Sequence, residues 1–281
     1  MNVAFIMPYE VDVLKTIENA AHINLGSFIL IGDKKKIIEN CFKENIDFKS
    51  FIIYDYPNEL EAIDFGNNII RAGRCDYIAF KGIPSSYFSR IMDLKGEMQI
   101  GTIEVIDLPL LHHYLFLSNY SQRLTTDFEE KKQAIIQAEA LIKALNIKKI
   151  NAAIIGNLHG KTDLLEMNII RMLLKDDKCN NIDILDSYTL ANLFSHDYPN
   201  NIYNAHINLL IMRNYEATRI FIDSLRIFSE AKIASIIVGG HRYAIDLNVA
   251  KNSNDVLFSL LILNKITNSK KCSHYKKQPF T

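Results

Sequence analysis

The sequence has 281 residues, of which 48% are hydrophobic and 23% charged, and its 32 basic side chains balance its 32 acidic ones. This composition excludes a disordered chain, and the zero net charge argues against a nucleic-acid-binding protein that depends on phosphate neutralisation. At about 100–200 residues per domain, the length accommodates one large domain or two smaller ones.

Short apolar runs rich in β-branched and aromatic residues recur along the chain, separated for the most part by stretches of helical length. Such runs are typical of strands that are buried on both faces of a parallel sheet. Alternating strands and helices predict an α/β fold. The predicted strands are residues 3–7, 28–31, 51–54, 77–80, 103–108, 152–155, 182–185, 207–212 and 236–238. The clearest helices are predicted over residues 128–145, 216–228 and 255–266.

The N-terminus begins as a strand and soon reaches Pro8 and Glu10, without a basic segment or a small-residue cleavage site. We therefore expect no signal peptide. No apolar run approaches the roughly 20 residues that span a bilayer, so we expect no membrane association. The four cysteines are widely separated and contain no CxxC pair, which favours reduced thiols and a cytoplasmic location.

The motifs that usually mark nucleotide or metal sites are missing from the sequence. It contains neither a GxGxxG fingerprint nor a P-loop signature. The one histidine pair, His112 and His113, is adjacent in sequence, and neighbouring strand residues point to opposite faces. We therefore predict no metal site.

The first candidate site is the segment 80–86, which follows a predicted strand and precedes a short predicted helix. Lys81, Gly82 and the hydroxyl of Ser86 form a plausible anion site at the carboxyl end of the strand, where α/β sheets bind ligands. The alternative is an ordinary turn in which Ser85 or Ser86 caps the next helix. The residues alone leave both interpretations open.

Two further segments also lie between a predicted strand and a helix or turn. In residues 213–219, Asn214 and Glu216 can contact a ligand, but Asn as a helix cap with Glu in the first turn is the commoner arrangement. In residues 239–242, a Gly-Gly pair precedes His241 and Arg242, which suits either a phosphate or a plain turn.

Several segments, in order along the chain, resemble the phosphate acetyl/butyryltransferase family, and more closely its butyryl branch. Residues 70–82 resemble the family pattern VRxGxADxLMKG, with Ser86 at the position of a family threonine. Further matches are FILIGD at 28–33, DLPLLHH at 107–113, DFEEK at 127–131, NYEA at 214–217 and ASIIVG at 234–239.

This resemblance implies a three-layer α/β/α fold like that of isocitrate and isopropylmalate dehydrogenases, with two domains and a cleft between them. The first domain would comprise residues 1–122 plus 243–281, and the second residues 123–242. The resemblance further implies a homodimer that transfers a short acyl group between acyl phosphate and coenzyme A. Coenzyme A is then a substrate, and no tightly bound cofactor or metal is expected.

The same resemblance implies roles for individual residues. Asp255 matches the family's proposed base, which converts the coenzyme A thiol into the reactive thiolate. The positions implied to bind substrate are Lys81, Gly82, Ser86, Asn214 and Glu216.

The sequence departs from the family at positions that carry charge. A Ser-Arg pair before the catalytic Asp is replaced by Asn248-Val249, and a Ser-His pair by Gly101-Thr102. Arg123, Arg242 and Lys251 are the basic residues whose position would allow one of them to supply the missing charge. An alternative function is therefore a relative with weakened catalysis that acts as a ligand-binding or regulatory protein. A third is an oxidoreductase on the related dehydrogenase fold, but the acidic metal-binding clusters of that fold are not evident.

Overall fold

The computed structural model describes residues 1–94, 100–119, 128–156, 161–176, 181–212, 215–239 and 242–275. The strands in these segments are β1 (Asn2–Ile6), β2 (Ser27–Gly32), β3 (Ile52–Asp55), β4 (Tyr77–Phe80), β5 (Gly101–Asp107), β6 (Leu115–Asn119), β7 (Ile150–Ile155), β8 (Ile182–Tyr188), β9 (Leu209–Ile211), β10 (Lys232–Val238) and β11 (Ala244–Asp246). The helices are α1 (Val11–His22), α2 (Lys34–Lys43), α3 (Glu59–Arg71), α4 (Phe88–Ile91), α5 (Phe128–Ala144), α6 (Lys161–Asp176), α7 (Leu190–Phe194), α8 (Tyr215–Ser229) and α9 (Ser253–Tyr275).

The chain divides into two compact units. One comprises Met1–Ile100 together with Ile233–Thr281, and the other comprises Gly101–Lys232. The N-terminal segment and the C-terminal helix thus share the first unit, and the middle of the chain forms the second. The resemblance had suggested boundaries near residues 122 and 243, and that domain assignment stays a prediction.

The sheet of the first unit has the strand order β3-β2-β1-β4-β11-β10. Its pairs are parallel from β3 through β11, and only β10 runs antiparallel to β11. In β1, for example, Phe5 is in register with Leu30 on one side and Ala79 on the other. The carboxyl ends of five neighbouring strands therefore lie along one edge of this sheet.

Helices cover this sheet because its strands are apolar on both faces. All four residues of β4 are buried, as are the last four of β1. Ala4 and Ile6 of β1 share a core with Ala62 and Ile63 of α3. On a separate surface, α1 packs against the C-terminal helix α9. The continuous apolar runs in the sequence are explained by this burial of both faces.

The sheet of the second unit has the order β5-β6-β9-β7-β8. Only the β5–β6 pair is antiparallel, and the pairs from β6 to β8 are parallel. Helix α5 packs against β5, β6 and β9, and α6 packs against β8. This unit therefore also consists of mostly parallel strands with helices packed against them.

The predicted α/β class is confirmed, and the main differences lie in short strands. β6 and β11 were not predicted from the sequence. β11 has only three residues, too few to show a pattern. Helix α9 extends to Tyr275, beyond the predicted end at residue 266. None of the helices in the described segments is both long enough and apolar enough to cross a bilayer.

Candidate functional site

Three loops meet at the carboxyl edge of the first unit's sheet. They follow β1, β4 and β11, and these strands are parallel neighbours. Glu10 lies in the first loop, Lys81 in the second and Asn248 in the third. Parallel pairing brings these loops to one edge even though β1 and β11 are far apart in sequence. This edge is where open α/β sheets bind ligands.

Lys81 is a basic group at this edge, and its position is defined by contacts to the other two loops. Its Nζ lies 2.5 Å from Oε2 of Glu10 and donates a hydrogen bond of 3.3 Å to the Ala250 carbonyl. The Lys81 side chain is only 16% exposed, whereas that of Glu10 is 55% exposed. A mostly buried ammonium is thus held by one backbone carbonyl and one solvent-facing carboxylate.

Gly82 continues the Lys81 loop in a conformation that suits glycine. Its φ is +76°, and a Cβ at this position would meet no atom within 4 Å. Its backbone N–H donates to Oδ1 of Asn248 at 2.6 Å. The Asn248 Nδ2 in turn donates to the Ile83 carbonyl at 2.9 Å. One amide side chain therefore bonds to the backbone of both Gly82 and Ile83, and it occupies the N–H of Gly82, a residue that was predicted to bind substrate.

Asn248 is itself held in place by the end of β11. Its backbone N–H donates to Oδ1 of Asp246 at 2.8 Å, and the preceding Leu247 N–H donates to the Phe80 carbonyl at 2.9 Å. The sequence had identified Asn248 only as a replacement for a family residue. Its role as a clamp depends on the β4–β11 pairing, which no local sequence signal reveals.

Asp255, the predicted base, is buried in the first turn of α9. Asp255 is only 2% exposed to solvent. Oδ1 accepts the Ile233 N–H and Oδ2 accepts the Lys251 N–H, each at 3.0 Å. The backward bond to Lys251 resembles the second half of a capping box. Both oxygens are therefore engaged with the backbone, and the role of Asp255 as a base stays a prediction.

The remaining predicted binding residues lie elsewhere. Ser86 is exposed in a single 3₁₀ turn, Ser85–Tyr87, which Pro84 rather than a serine precedes as the capping residue. Glu216 is exposed in the first turn of α8, in the second unit. Asn214 lies outside the described residues. Of the predicted set, only Lys81, Gly82 and the segment leading to Asp255 are brought together by contacts within the first unit.

Arg242, a basic residue considered as a replacement for the missing family arginine, is used for packing. Its guanidinium donates to Oδ1 of Asn67 and to the Ile91 carbonyl, both at 2.5 Å. Burial lowers its pKa, an effect that nearby Asp93 partly opposes. Arg242 thus links α3 to α4. Lys81, in contrast, lies at the carboxyl edge of the strands, where the three loops meet.

Sequence reasoning missed Glu10 as a site residue. The signal available was an acidic residue shortly after β1, at the N-cap position of α1. The side chain of Glu10 makes no capping hydrogen bond there, in contrast to Asp33 and Asn58, which cap α2 and α3. Among the described residues, no group of three or more His, Cys, Asp and Glu side chains is arranged to hold a metal ion.

Comparison with known proteins gives one curated relative and several structures. The chain is 22% identical to a phosphate butyryltransferase of Clostridium beijerinckii over 252 residues, covering 84% of this chain and 83% of that protein. No family model matches the sequence. The likeness to the butyryltransferase extends over most of both chains and does not depend on one motif.

The structural likeness covers nearly the whole chain. A branched-chain phosphotransacylase from Enterococcus faecalis V583 superposes with a TM-score of 0.76 at 13% identity, covering 95% of this chain and 99% of that one. The EutD phosphotransacetylase from Staphylococcus aureus gives a TM-score of 0.71 at 12% identity, covering 96% and 94%. A Salmonella typhimurium structure named for a 4-hydroxythreonine-4-phosphate dehydrogenase gives 0.65 at 11% identity, covering 94% and 99%.

These structures share the fold, including the dehydrogenase-like architecture that the resemblance implied. The sequence likeness is to a protein named phosphate butyryltransferase, which agrees with the butyryl branch that the motifs resembled. Together, the sequence likeness and the shared fold support this chain as a divergent member of the phosphate acetyl/butyryltransferase family.

Proposed function

We propose that this chain is an acyltransferase that moves a short acyl group between acyl phosphate and coenzyme A. The observation that carries the proposal is the contact between two loops. Lys81 of the predicted anion loop donates to the Ala250 carbonyl, and the next residue, Lys251, is held by Asp255. A cation for the phosphate and the predicted base are thereby linked through one short segment.

The proposed reaction needs a thiolate and a cation. The sulfur of coenzyme A attacks the acyl carbon of the acyl phosphate, the bond from that carbon to the phosphate oxygen breaks, and inorganic phosphate leaves. The thiol proton passes to a base before or during the attack. In the reverse direction, a phosphate oxygen attacks the thioester and the coenzyme A thiol is released. Negative charge develops on oxygen in both directions, so a fixed cation lowers the barrier.

Lys81 is the group proposed to hold the phosphate. Its Nζ stands at the edge where α1 begins, and the N-terminus of a helix of this length adds N–H donors and a favourable dipole. Glu10 does not cap that terminus. The ammonium group of Lys81 and the positive end of the α1 dipole would thus both attract the same anion. Ser86, Asn214 and Glu216 remain proposed contributors from the family resemblance.

Asp255 is the proposed base. Its contacts in the structure show which bonds stand between its carboxylate and a substrate thiol. Both carboxylate oxygens of Asp255 accept a backbone N–H, one from Ile233 and one from Lys251. Because Asp255 is only 2% exposed, the chain around it must move before a thiol can reach either oxygen. The Lys251 bond is the one located in a loop, so rearrangement of residues 248–252 on substrate binding would expose Oδ2.

The proposal is tested by mixing the protein with acyl-coenzyme A esters of increasing chain length and inorganic phosphate, and measuring released thiol. We expect turnover with short esters, and a Lys81→Met variant should lose about 100-fold in kcat/KM, the scale of one charge-stabilising group. Lys15→Met is a matched control, because Lys15 forms a comparable pair with Glu44 at 2.7 Å. Absence of turnover with every ester would refute the proposal.

Two other functions considered from the sequence are not favoured. The curated relative and two of the structural relatives are named for the transferase reaction, which speaks against a purely ligand-binding or regulatory protein. The oxidoreductase alternative is supported by the fold alone, through structures that are named for dehydrogenases. An absorbance change of NAD(P) with hydroxy acids would favour it instead.

The proposed reaction uses coenzyme A as a substrate and needs no tightly bound cofactor. We also propose the homodimer and the cytoplasmic location that the family resemblance implies. Light scattering should then give twice the chain mass of 32.2 kDa, and a monomer mass would contradict the dimer.

A further inference from the structure

The ion pair between Glu10 and Lys81 spans a special position in the first unit's sheet. The chain passes from β1 to β2 and β3 on one side of β1, whereas β4 and β11 lie on its other side. At such a reversal of strand order, the loops after the two adjacent strands diverge and leave a crevice where ligands bind. Glu10 follows β1 and Lys81 follows β4, and their 2.5 Å contact crosses this crevice.

The side chain of Glu10 is not used for the task usual at its position. Glu10 is the N-cap residue of α1, with extended backbone angles, but it makes no side-chain capping bond. Asp33 caps α2 through the Lys35 and Lys36 amides, and Asn58 caps α3 in the same way. A shorter acceptor would cap α1 better. The longer Glu side chain instead extends to Lys81.

The two partners differ in how firmly they are held. Lys81 is 16% exposed and also bonded to the Ala250 carbonyl, whereas Glu10 is 55% exposed. A largely buried ammonium requires a negative partner. An exposed carboxylate is well solvated when it leaves, and exposed ion pairs are individually weak. The pair is therefore arranged so that the acid can be exchanged for another anion while the cation stays in place.

We propose that Glu10 is the resident counter-ion of Lys81, which a phosphate-bearing substrate must displace, and that it thereby sets the affinity of the site for anions. This inference rests on the proposed function, because it takes Lys81 as the phosphate-binding cation. The Glu10 carboxylate keeps Lys81 paired in the absence of substrate. It competes for Lys81 with any anion that binds the lysine no more tightly than Glu10 does. Glu10 is thus an affinity-determining residue to which the family resemblance assigned no role.

The test measures binding of inorganic phosphate by calorimetry to the wild type and to Glu10→Gln, Lys81→Met and Glu44→Gln. Glu10→Gln removes the competing charge but keeps the side-chain length, so we expect phosphate to bind about two- to fivefold more tightly, the range for one exposed ion pair. Lys81→Met should abolish binding. Glu44→Gln breaks the similar Lys15–Glu44 pair and should leave phosphate binding unchanged. Thermal unfolding of each variant checks that it is folded.

The outcomes separate this inference from the proposed function. If Lys81→Met weakens binding but Glu10→Gln does not tighten it, the counter-ion role is wrong and the assignment of Lys81 stands. If Lys81→Met binds phosphate as the wild type does, or no protein binds it, both are overturned. Equal tightening by Glu10→Gln and Glu44→Gln would indicate a general charge effect and would also overturn the role of Glu10. A Glu10→Ala variant should tighten binding as Glu10→Gln does.

Discussion

The side-chain oxygen of Asn248 accepts the backbone N–H of Gly82 at 2.6 Å, although 166 residues separate the two in sequence. The same side chain donates to the Ile83 carbonyl. The family resemblance aligns Asn248 with the serine of a Ser-Arg pair. In this chain Asn248 holds the loop that carries Lys81. The family's arginine is missing next to it, and Lys81 is the cation whose position Asn248 fixes.

Replacing Asn248 by Ala should loosen the Lys81 loop. Two hydrogen bonds to backbone groups are lost, at about 1 kcal/mol each in the free energy of unfolding. We expect KM for phosphate to rise several-fold, because Lys81 would no longer be preorganised. Steady-state kinetics and urea unfolding measure the two effects. Asn58→Ala is the matched control, since it also removes two hydrogen bonds between a side chain and the backbone but should leave KM unchanged.

Gly82→Ala should act through the backbone alone. The φ of Gly82 is +76° and a Cβ there meets no atom within 4 Å, so the cost is the roughly 1–2 kcal/mol of a left-handed non-glycine residue. Gly73→Ala has the same cost for the same reason, at φ +71° with no atom within 4 Å. Both variants should unfold at similarly lower urea concentrations, but only Gly82→Ala should raise KM for phosphate. An equal kinetic effect of both would contradict the role of the Lys81 loop.

Asp255→Asn should abolish turnover and also reduce stability. If Asp255 is the base, kcat falls by about 10²–10⁴, while coenzyme A binding measured by calorimetry persists. The amide can accept only one of the two backbone N–H bonds, so the free energy of unfolding should fall by about 1–3 kcal/mol. Asp33→Asn, which alters another acceptor of two backbone N–H groups, serves as the control for activity. Turnover within a few-fold of wild type would leave Asp255 with a structural role only.

Cys41 and Cys75 should resist alkylation in the native protein. Burial is the main cause that raises the pKa of each thiol from 9.0 to about 11, and the thiolate is the reactive form. Mass spectrometry after iodoacetamide treatment at pH 8 should find both unmodified, and both modified after urea denaturation. Labelling of either thiol in the native protein would contradict its burial.

The same two thiols should make stability depend on alkaline pH. Because their pKa is higher in the folded state than in the unfolded state, the unfolded chain loses these protons first as the pH rises. The stability they provide is complete below about pH 9 and is lost as the pH approaches 11. Urea unfolding of the wild type at pH 8 and pH 10.5 should therefore differ more than that of a Cys41→Ala, Cys75→Ala double variant.

Several of the strands that the sequence predicted are buried along most of their length. β4 is apolar at all four positions and buried at all four, so its residues alone indicate a central parallel strand. β11 has only three residues and ends in Asp246, and it is a strand because β4 and β10 pair with it. No periodicity can be read from so short a segment, and the Asn248 loop that depends on it was not predictable either.

The sequence by itself determined the α/β class, the likeness to the acyltransferase family and the place of Lys81 and Gly82 at a strand end. These features depend on local runs of residue types. Such runs can be read from the sequence because hydrophobic burial and backbone preference select particular residues at each position. Only the tertiary structure decided which groups surround Lys81. Glu10, Asn248 and Ala250 reach it because β1, β4 and β11 pair side by side. That pairing depends on contacts between distant segments, and so the partners of the cation, unlike its position in the chain, are a property of the folded sheet.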